Sequence, residues 1–295
     1  MKPTNPLVSI STPRRIITPF TRRLFQLPPP PASPTASHDS LPTFLDHTQR
    51  NAIPASTTTY QGTVYEYIVQ SHLRKHAFNL YRVGGRSDYG IDLTGTWHVG
   101  ANPVLDPPIR VVVQCKALRK KLGPNLVREI EGVTAMQGCG CAGVLVSPLE
   151  ATKGVREALG RSGMPLVWMM VGLDGVVRQV LWNKGVEGLG LGLGGLGVEA
   201  LYSPDEGGEK KHGPKKPEVR LTWEGKVVQA MDEVEEGMGR LEEEWLANWE
   251  GRGLGDISRE RLLDAMQWVV PGTRPIMISE EEREEVVGSL LSTSS

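Results

Sequence analysis

The sequence predicts an α/β domain in which helices flank a mixed central sheet, with a helical C-terminal extension. Short strand-like runs joined by turns come first, and helical and strand patterns then alternate up to residue 182. Beyond residue 226 the apolar residues recur at helical spacing on an acidic background. These observations divide the chain into a sheet domain and a helical region.

The elements of the sheet domain follow one another between residues 56 and 182. Thr57–Thr59 precede the first helix as candidate caps, and the turn at Asp174-Gly175 would pair the last two strands. The predicted elements are a helix over Tyr60–Leu73, strands near Leu80–Val83, around Tyr89–Trp97 and over Arg110–Ala117, a helix containing Leu126, Ile130 and Val133, a strand over Ala142–Val146, a helix containing Val155, Ala158 and Leu159, and strands over Leu166–Val171 and Val176–Trp182.

The first 38 residues are basic, rich in Ser and Thr, and free of acidic residues. Their basic residues are Lys2, Arg14, Arg15, Arg22 and Arg23. This composition is typical of a mitochondrial transit peptide. We therefore predict that residues 1–50 are a transit peptide and disordered linker outside the fold, and that the mature protein lies in the mitochondrion, with the matrix as the expected compartment. A disordered basic tail is the alternative.

Residues 183–226 are rich in glycine and charge and predict a low-complexity linker. Gly190, Gly192 and Gly195 fit the pattern G-x-G-x-x-G, but no predicted helix follows, so we interpret them as a loop. Cys139 and Cys141 have no second ligand pair at zinc spacing. No apolar run approaches the roughly 18 residues that a membrane span needs.

Residues 227–295 predict an acidic helical region. An apolar stripe marks the helix 227–250, and it consists of Val227, Val228, Met231, Val234, Met238, Leu241, Trp245 and Trp249. Such a stripe is either core or a surface for a protein partner or for self-association. Glu280–Leu291 predicts one more short helix.

Two strands of the sheet domain carry charges inside apolar runs, namely Asp92 and Lys116. A charge on a buried strand is costly unless it is paired or used. Because side chains alternate along a strand, Gln114 and Lys116 project from the same side, and a hairpin would bring Asp92 beside them. Glu66 on the first helix would add a second carboxylate, although an ordinary glutamate on a helix face is the alternative.

A carboxylate, an amide oxygen and an ammonium together suit a hard divalent cation and a phosphate. Mg²⁺ takes oxygen ligands, often only one or two carboxylates, and it polarises a phosphoryl oxygen and activates a bound water. An ammonium stabilises the charge that grows on the phosphoryl group. We therefore predict Mg²⁺ or Mn²⁺ as the cofactor and Asp92, Gln114, Lys116 and Glu66 as catalytic residues.

A local basic patch lies around the third predicted strand. The net charge of the chain is −1, so any nucleic-acid role must depend on local charge. Between Asp106 and Glu129 the sequence has no acidic residue, and such a patch can neutralise several phosphates. The predicted nucleic-acid-binding residues are Arg110, Arg119, Lys120, Lys121 and Arg128. A solvated surface loop is the alternative.

These residues resemble a known superfamily. Glu66 on the first helix, "GID" at Gly90–Asp92 and "QCK" at Gln114–Lys116 are similar to the restriction-endonuclease-like, PD-(D/E)xK nucleases. The likeness is greatest to the Mrr-type branch, in which Gln replaces the second acid, and "GVLVSPLEATKGVREAL" at Gly143–Leu159 resembles that branch too. The resemblance implies a restriction-endonuclease-like mixed sheet over residues 56–182.

The same resemblance implies roles for single residues. Asp92 and Glu66 would be metal ligands together with the main-chain carbonyl of Cys115, and Lys116 would be the catalytic lysine. Asp88 lies in the same loop as Asp92 and is a rival for its role. Gln114 removes one negative ligand, so metal binding should be weaker unless Glu66 compensates.

The chain also resembles a narrower fungal family, the mitochondrial proteins described as required for respiratory growth protein 7. The presequence, "YEYIVQSHL", "GGRSDYGIDLTGTW", "VVVQCKA" and the Gly/Leu-rich stretch after "VLWNKGVE" carry this likeness. It implies a mitochondrial protein that respiration requires.

Three functions follow as hypotheses. The first is a Mg²⁺-dependent nuclease that acts on mitochondrial nucleic acid, with DNA as the expected substrate, for genome maintenance or turnover. The second is a nuclease-like domain that binds nucleic acid without cutting it. The third is a respiratory-assembly scaffold that uses the helix 227–250.

Overall fold

A computed structural model of the chain describes residues 17–33, 35, 37–83, 90–117, 122–188, 193–202, 217–252, 254 and 257–292. The α-helices in this part are α1 (Pro19–Leu24), α2 (Leu41–Arg50), α3 (Thr58–His72), α4 (Asn125–Met136), α5 (Lys153–Arg161), α6 (Lys184–Glu187), α7 (Met231–Ala247), α8 (Arg259–Val269) and α9 (Glu280–Ser292). The strands are β1 (Phe78–Arg82), β2 (Leu93–Trp97), β3 (Ile109–Cys115), β4 (Cys141–Ser147), β5 (Leu166–Val171), β6 (Val177–Trp182), β7 (Leu196–Leu201), β8 (Glu218–Trp223) and β9 (Lys226–Val227).

Strands β1 to β6 form one mixed sheet whose spatial order is also the chain order. The meander β1–β2–β3 is antiparallel, β3–β4–β5 is parallel, and β6 returns antiparallel to β5. Helices α4 and α5 make the two parallel crossovers, as parallel pairing requires. The predicted mixed α/β sheet flanked by helices is therefore confirmed.

Strand β3 is buried on both faces, which explains its run of valines. Val111 and Val113 belong to an apolar cluster with Val69 of α3, and Val112 belongs to a cluster on the other face with Ile130 of α4. The alternation along the strand thus assigns α3 to one face of the sheet and α4 with α5 to the other. Thr57 caps α3 by accepting from the Tyr60 amide.

The region predicted as a low-complexity linker contains a second, antiparallel sheet of β7, β8 and β9. Val219 and Leu221 alternate along β8 and are buried in the same cluster as Val180 of β6. The glycine-rich sequence before residue 203 hides this strand period from a reading of composition alone. A strand and no helix follows Gly195, while Gly190 and Gly192 lie outside the described residues.

A second core lies apart from the sheet and joins the two ends of the chain. Its buried members are Phe20, Leu24, Phe25, Leu27, Met231, Val234, Met238, Trp245, Trp249, Leu262, Leu263, Met266, Val270, Ile278, Val286, Val287 and Leu290. Helices α1, α7, α8 and α9 therefore pack together. The predicted helices over 227–250 and Glu280–Leu291 correspond to α7 and α9.

Two predictions are corrected by this core. The stripe on α7 was open to a protein partner or self-association, but Met231, Val234, Met238 and Trp245 are buried against the chain itself. Residues 1–50 were predicted to lie outside the fold, yet α1 is buried in the second core and α2 packs against α3. The physical reason is that their apolar partners lie far away in the sequence.

Polar contacts tie the second core to the sheet. Arg74, after α3, pairs with Asp232 and lies 2.6 Å from a carboxylate oxygen of Glu235 on α7. Arg274 donates to the carbonyl of Leu105, in the long connection between β2 and β3. No helix in the described part of the chain is long and apolar enough to cross a bilayer.

Candidate functional site

The β2–β3 hairpin holds Asp92 next to the end of β3. The Asp92 amide donates to the Val113 carbonyl at 2.9 Å, and the Asp92 carbonyl accepts from the Val83 amide at 2.9 Å. The Asp92 carboxylate accepts from the Cys115 amide, with 2.6 Å between Oδ2 and N. The predicted hairpin is therefore present, and the carboxylate is oriented by the main chain of β3.

Lys116 directly follows β3. Its amide donates to the carbonyl of Val146 at 2.8 Å, so the parallel pairing with β4 continues to this residue. Its ammonium lies 4.0 Å from a carboxylate oxygen of Glu129, on the exposed face of α4. Glu129 was not among the predicted site residues, because nothing in its local sequence relates α4 to the end of β3.

Glu66 on α3 forms an ion pair with Arg82, the last residue of β1. The distance from Arg82 Nε to Glu66 Oε2 is 2.5 Å, and the two side chains are only 15% and 13% exposed. The Arg82 guanidinium also lies over the ring of Tyr67, 5.8 Å from its centroid. Sequence reasoning missed Arg82, since neither its type nor its spacing marks it as the partner of Glu66.

Three of the predicted side chains affect the pKa of the Cys115 thiol. Burial raises the pKa of its thiol well above the usual value, the negative charges of Asp92 and Glu66 raise it further, and the positive charge of Lys116 opposes them. Asp92 accepts from the Cys115 amide, Lys116 follows Cys115 in the chain, and Glu66 pairs with Arg82, which lies opposite Leu93 in the β1–β2 ladder. Cys115 itself stays a neutral thiol and is no candidate nucleophile.

Gln114 is buried and does not project into solvent beside Lys116. Its side chain is packed against Gly90, where an added Cβ would lie 2.7 Å from Nε2 and where φ is +81°. A non-glycine residue at position 90 would thus be strained as well as crowded. Gln114 Oε1 is buried and has no hydrogen-bond partner among the described residues.

The donor set at this place fits a hard cation. Asp92 and Glu66 would supply carboxylates and the main chain at the end of β3 would supply a carbonyl, which are oxygen ligands that Mg²⁺ accepts. Among the described residues no group of three His, Cys, Asp or Glu side chains could hold a metal.

The described residues of the predicted basic patch are Arg110, on β3, and Arg128, on α4. Arg110 opens β3 and donates to the Cys139 carbonyl at 2.6 Å, so it lies at the opposite end of the strand from Lys116, roughly 20 Å away at the usual rise per residue. The role of Arg110 as a nucleic-acid contact stays a prediction. Arg128 is exposed on α4. The predicted residues Arg119, Lys120, Lys121 and Asp88 lie outside the described residues.

Comparison with known proteins identifies relatives of the sheet domain. The family described as "Required for respiratory growth protein 7" matches residues 57–105 and 102–202. A Schizosaccharomyces pombe protein described as mitochondrial and uncharacterized is 34% identical over 152 residues, which are 50% of this chain and 61% of that protein. No solved structure matches the chain.

Further relatives carry the name of the matching family. "Required for respiratory growth protein 7, mitochondrial" of Saccharomyces cerevisiae is 28% identical over 174 residues, 44% of this chain and 72% of that protein. The protein of the same name from Eremothecium gossypii is 26% identical over 180 residues, 45% of this chain and 75% of that protein. These names confirm the predicted mitochondrial location.

Proposed function

This chain belongs to the family described as Required for respiratory growth protein 7, and from that premise we propose that its sheet domain hydrolyses phosphodiester bonds of mitochondrial nucleic acid with Mg²⁺ or Mn²⁺. The coarse role is that of a mitochondrial protein required for respiratory growth. DNA is the expected substrate. The observation that supports the chemistry is that the Asp92 carboxylate and Lys116 both lie next to Cys115 at the end of β3, while Glu66 pairs with Arg82 at the adjoining end of β1.

Each site residue has its own role in this proposal. Asp92 and Glu66 would hold the cation with the Cys115 carbonyl, and the Cys115 amide keeps the Asp92 carboxylate in one orientation. A bound cation supplies polarisation of the phosphoryl oxygen and a water of lowered pKa. The Lys116 ammonium, on a strand end fixed by its bond to Val146, positions that water or stabilises the charge that grows on the phosphoryl group.

A second candidate function is binding of nucleic acid without cleavage. One observation and one resemblance favour it: Arg82 already pairs with the Glu66 carboxylate, and Gln114 stands where the nucleases that this sequence resembles have an acid. Both lower the negative charge offered to a cation. The scaffold hypothesis has no support from α7, because the apolar stripe that would bind a partner is buried in the second core.

Cleavage assays separate the two candidates. The purified protein would be mixed with labelled DNA and RNA in Mg²⁺ or Mn²⁺, alongside Asp92→Ala, Lys116→Ala and the control Lys153→Ala, whose ammonium is exposed on α5. We expect cleavage that falls about 10²- to 10³-fold in the two site variants and is unchanged in the control. Salt-sensitive binding without product would support the second candidate, and an absence of affinity would refute both.

A further inference from the structure

The N-terminal segment, Ile17–Pro31, is built into the second core. Helix α1 buries Phe20 and Leu24, and Phe25 and Leu27 follow it into the same apolar cluster. Leu24 is 0% exposed and Phe25 is 1% exposed, so these side chains lie in the interior of the molecule. Phe20 meets Trp245 of α7 edge to face, with 5.8 Å between ring centroids.

The helix of this segment has its own start signal. Thr18 accepts from the Thr21 amide at 3.0 Å, and Thr21 Oγ1 lies 3.2 Å from the Thr18 amide that donates to it, which together form a capping box. Pro19 occupies the first helical position, where its missing N–H costs nothing. The segment therefore folds as a defined helix and not as an extended tail.

Polar contacts fix the segment to three distant parts of the chain. Thr21 Oγ1 donates to Glu242 of α7 at 2.7 Å, Arg22 donates to the hydroxyl of Tyr81 on β1, and Arg274 donates to the Phe25 carbonyl at 3.2 Å. Pro28, Pro29 and Pro31 then line a small cavity with residues of β2 and β3. The segment touches both the sheet and the second core.

This placement conflicts with complete removal of residues 1–50 as a presequence. Cleavage after Pro31 would delete four apolar members of the second core and leave their partners, Trp245 among them, facing an empty volume. It would also remove the contacts of the segment with β1 and α7. The basic residues Arg14 and Arg15 precede the segment, so a basic targeting sequence is compatible with keeping it.

We propose that the mature mitochondrial protein keeps the N-terminal segment, and that any removal of the presequence stops before Ile17. The step is hydrolysis of one peptide bond by a processing peptidase of the organelle. Water adds across the C–N bond, so that the released peptide gains a carboxylate and the mature chain gains an amino terminus. The inference does not depend on the proposed nuclease chemistry.

Import into isolated mitochondria tests the proposal. The full chain is imported, external protease removes what stays outside, and the amino terminus of the protected form is identified by mass spectrometry. We expect an amino terminus at or before Ile17, or an unprocessed chain. A protected, folded form that begins after Ile17 would overturn the proposal.

Limited proteolysis provides a second measurement, which tests whether the segment is packed in the imported protein. Leu24→Ala should make the imported form several-fold more sensitive to limited proteolysis after lysis, because a fully buried side chain is lost. Pro30→Ala, at an exposed position of the same segment, should leave that sensitivity unchanged. Equal sensitivity of the wild type and Leu24→Ala would show that the segment is not part of the mature fold.

Discussion

The sheet domain and the second core are built by different rules. In the sheet domain, strands that neighbour one another in the chain also neighbour one another in the sheet, and each face is covered by helices from the same stretch. The second core joins α1 to α7, α8 and α9, which are separated from it by the entire sheet domain. The family match covers residues 57–202, which include the sheet domain and the candidate site but not the helices of the second core.

The proposed site residues all lie in one of these two regions. Asp92, Glu66 and Lys116 belong to the sheet domain, whose local pattern is strong. The second core holds none of the proposed site residues. It contacts the sheet through Arg74 and through the connection between β2 and β3, the same hairpin that positions Asp92.

The largest expected effect compares how much the second core and the sheet domain contribute to the free energy of unfolding. Leu24→Ala in the second core and Leu73→Ala in the sheet domain remove fully buried leucines. Each should lower the free energy of unfolding by about 2–5 kcal/mol, measured by urea denaturation. Leu173→Ala, at an exposed position, is the control. If Leu24→Ala alone lowered the free energy of unfolding by less than about 1 kcal/mol, the second core would contribute little to the stability of the fold.

The next effect concerns the ion pair that joins the regions. Glu235 is buried on α7, burial raises the pKa of its carboxyl, and the Arg74 guanidinium opposes that shift. Glu235→Gln should lower the free energy of unfolding by about 2 kcal/mol, since hydrogen bonds to charged groups are strong when desolvated. In an Arg74→Ala background the same substitution should cost much less. Equal losses in the free energy of unfolding in both backgrounds would show that Glu235 and Arg74 are not coupled.

A smaller effect is expected from Arg82, because it holds a proposed metal ligand. Arg82→Gln releases Glu66 from its ion pair, so Mn²⁺ should bind about tenfold more tightly, as measured by calorimetry. Arg178→Gln breaks the Asp174–Arg178 pair, which the proposed site does not use, and serves as the control. Unchanged or weaker Mn²⁺ binding in Arg82→Gln would mean that the pair does not compete with a cation.

The smallest effect is a pH dependence that arises in the sheet domain. Burial lowers the pKa of His76 and of His98 from 6.5 to about 4. The unfolded chain therefore binds more protons in this window, so stability is lost as pH falls from about 6.5 toward 4. From pH 7 to pH 6 the loss should be about 0.7 kcal/mol for each histidine. His98→Gln should flatten the curve, and an unchanged slope would contradict this assignment.

The sequence allows prediction of the sheet and of the position of Asp92 near the end of β3, because both depend on local periods. The valines of β3 and the hairpin before it place Asp92 beside Cys115 without any knowledge of distant residues. The ion pair of Glu66 with Arg82 and the packing of Phe20 on Trp245 depend on which elements meet in space. No local pattern encodes that choice. The same holds for the packing of Gln114 against Gly90.

Anomalous diffraction from crystals grown with Mn²⁺ tests the candidate site most directly. We expect one strong peak at the end of β3, about 2.0–2.3 Å from carboxylate oxygens of Asp92 and Glu66, with the Arg82 guanidinium moved off Glu66. A peak elsewhere, or none at millimolar Mn²⁺ while the Glu66–Arg82 pair stays closed, would contradict it.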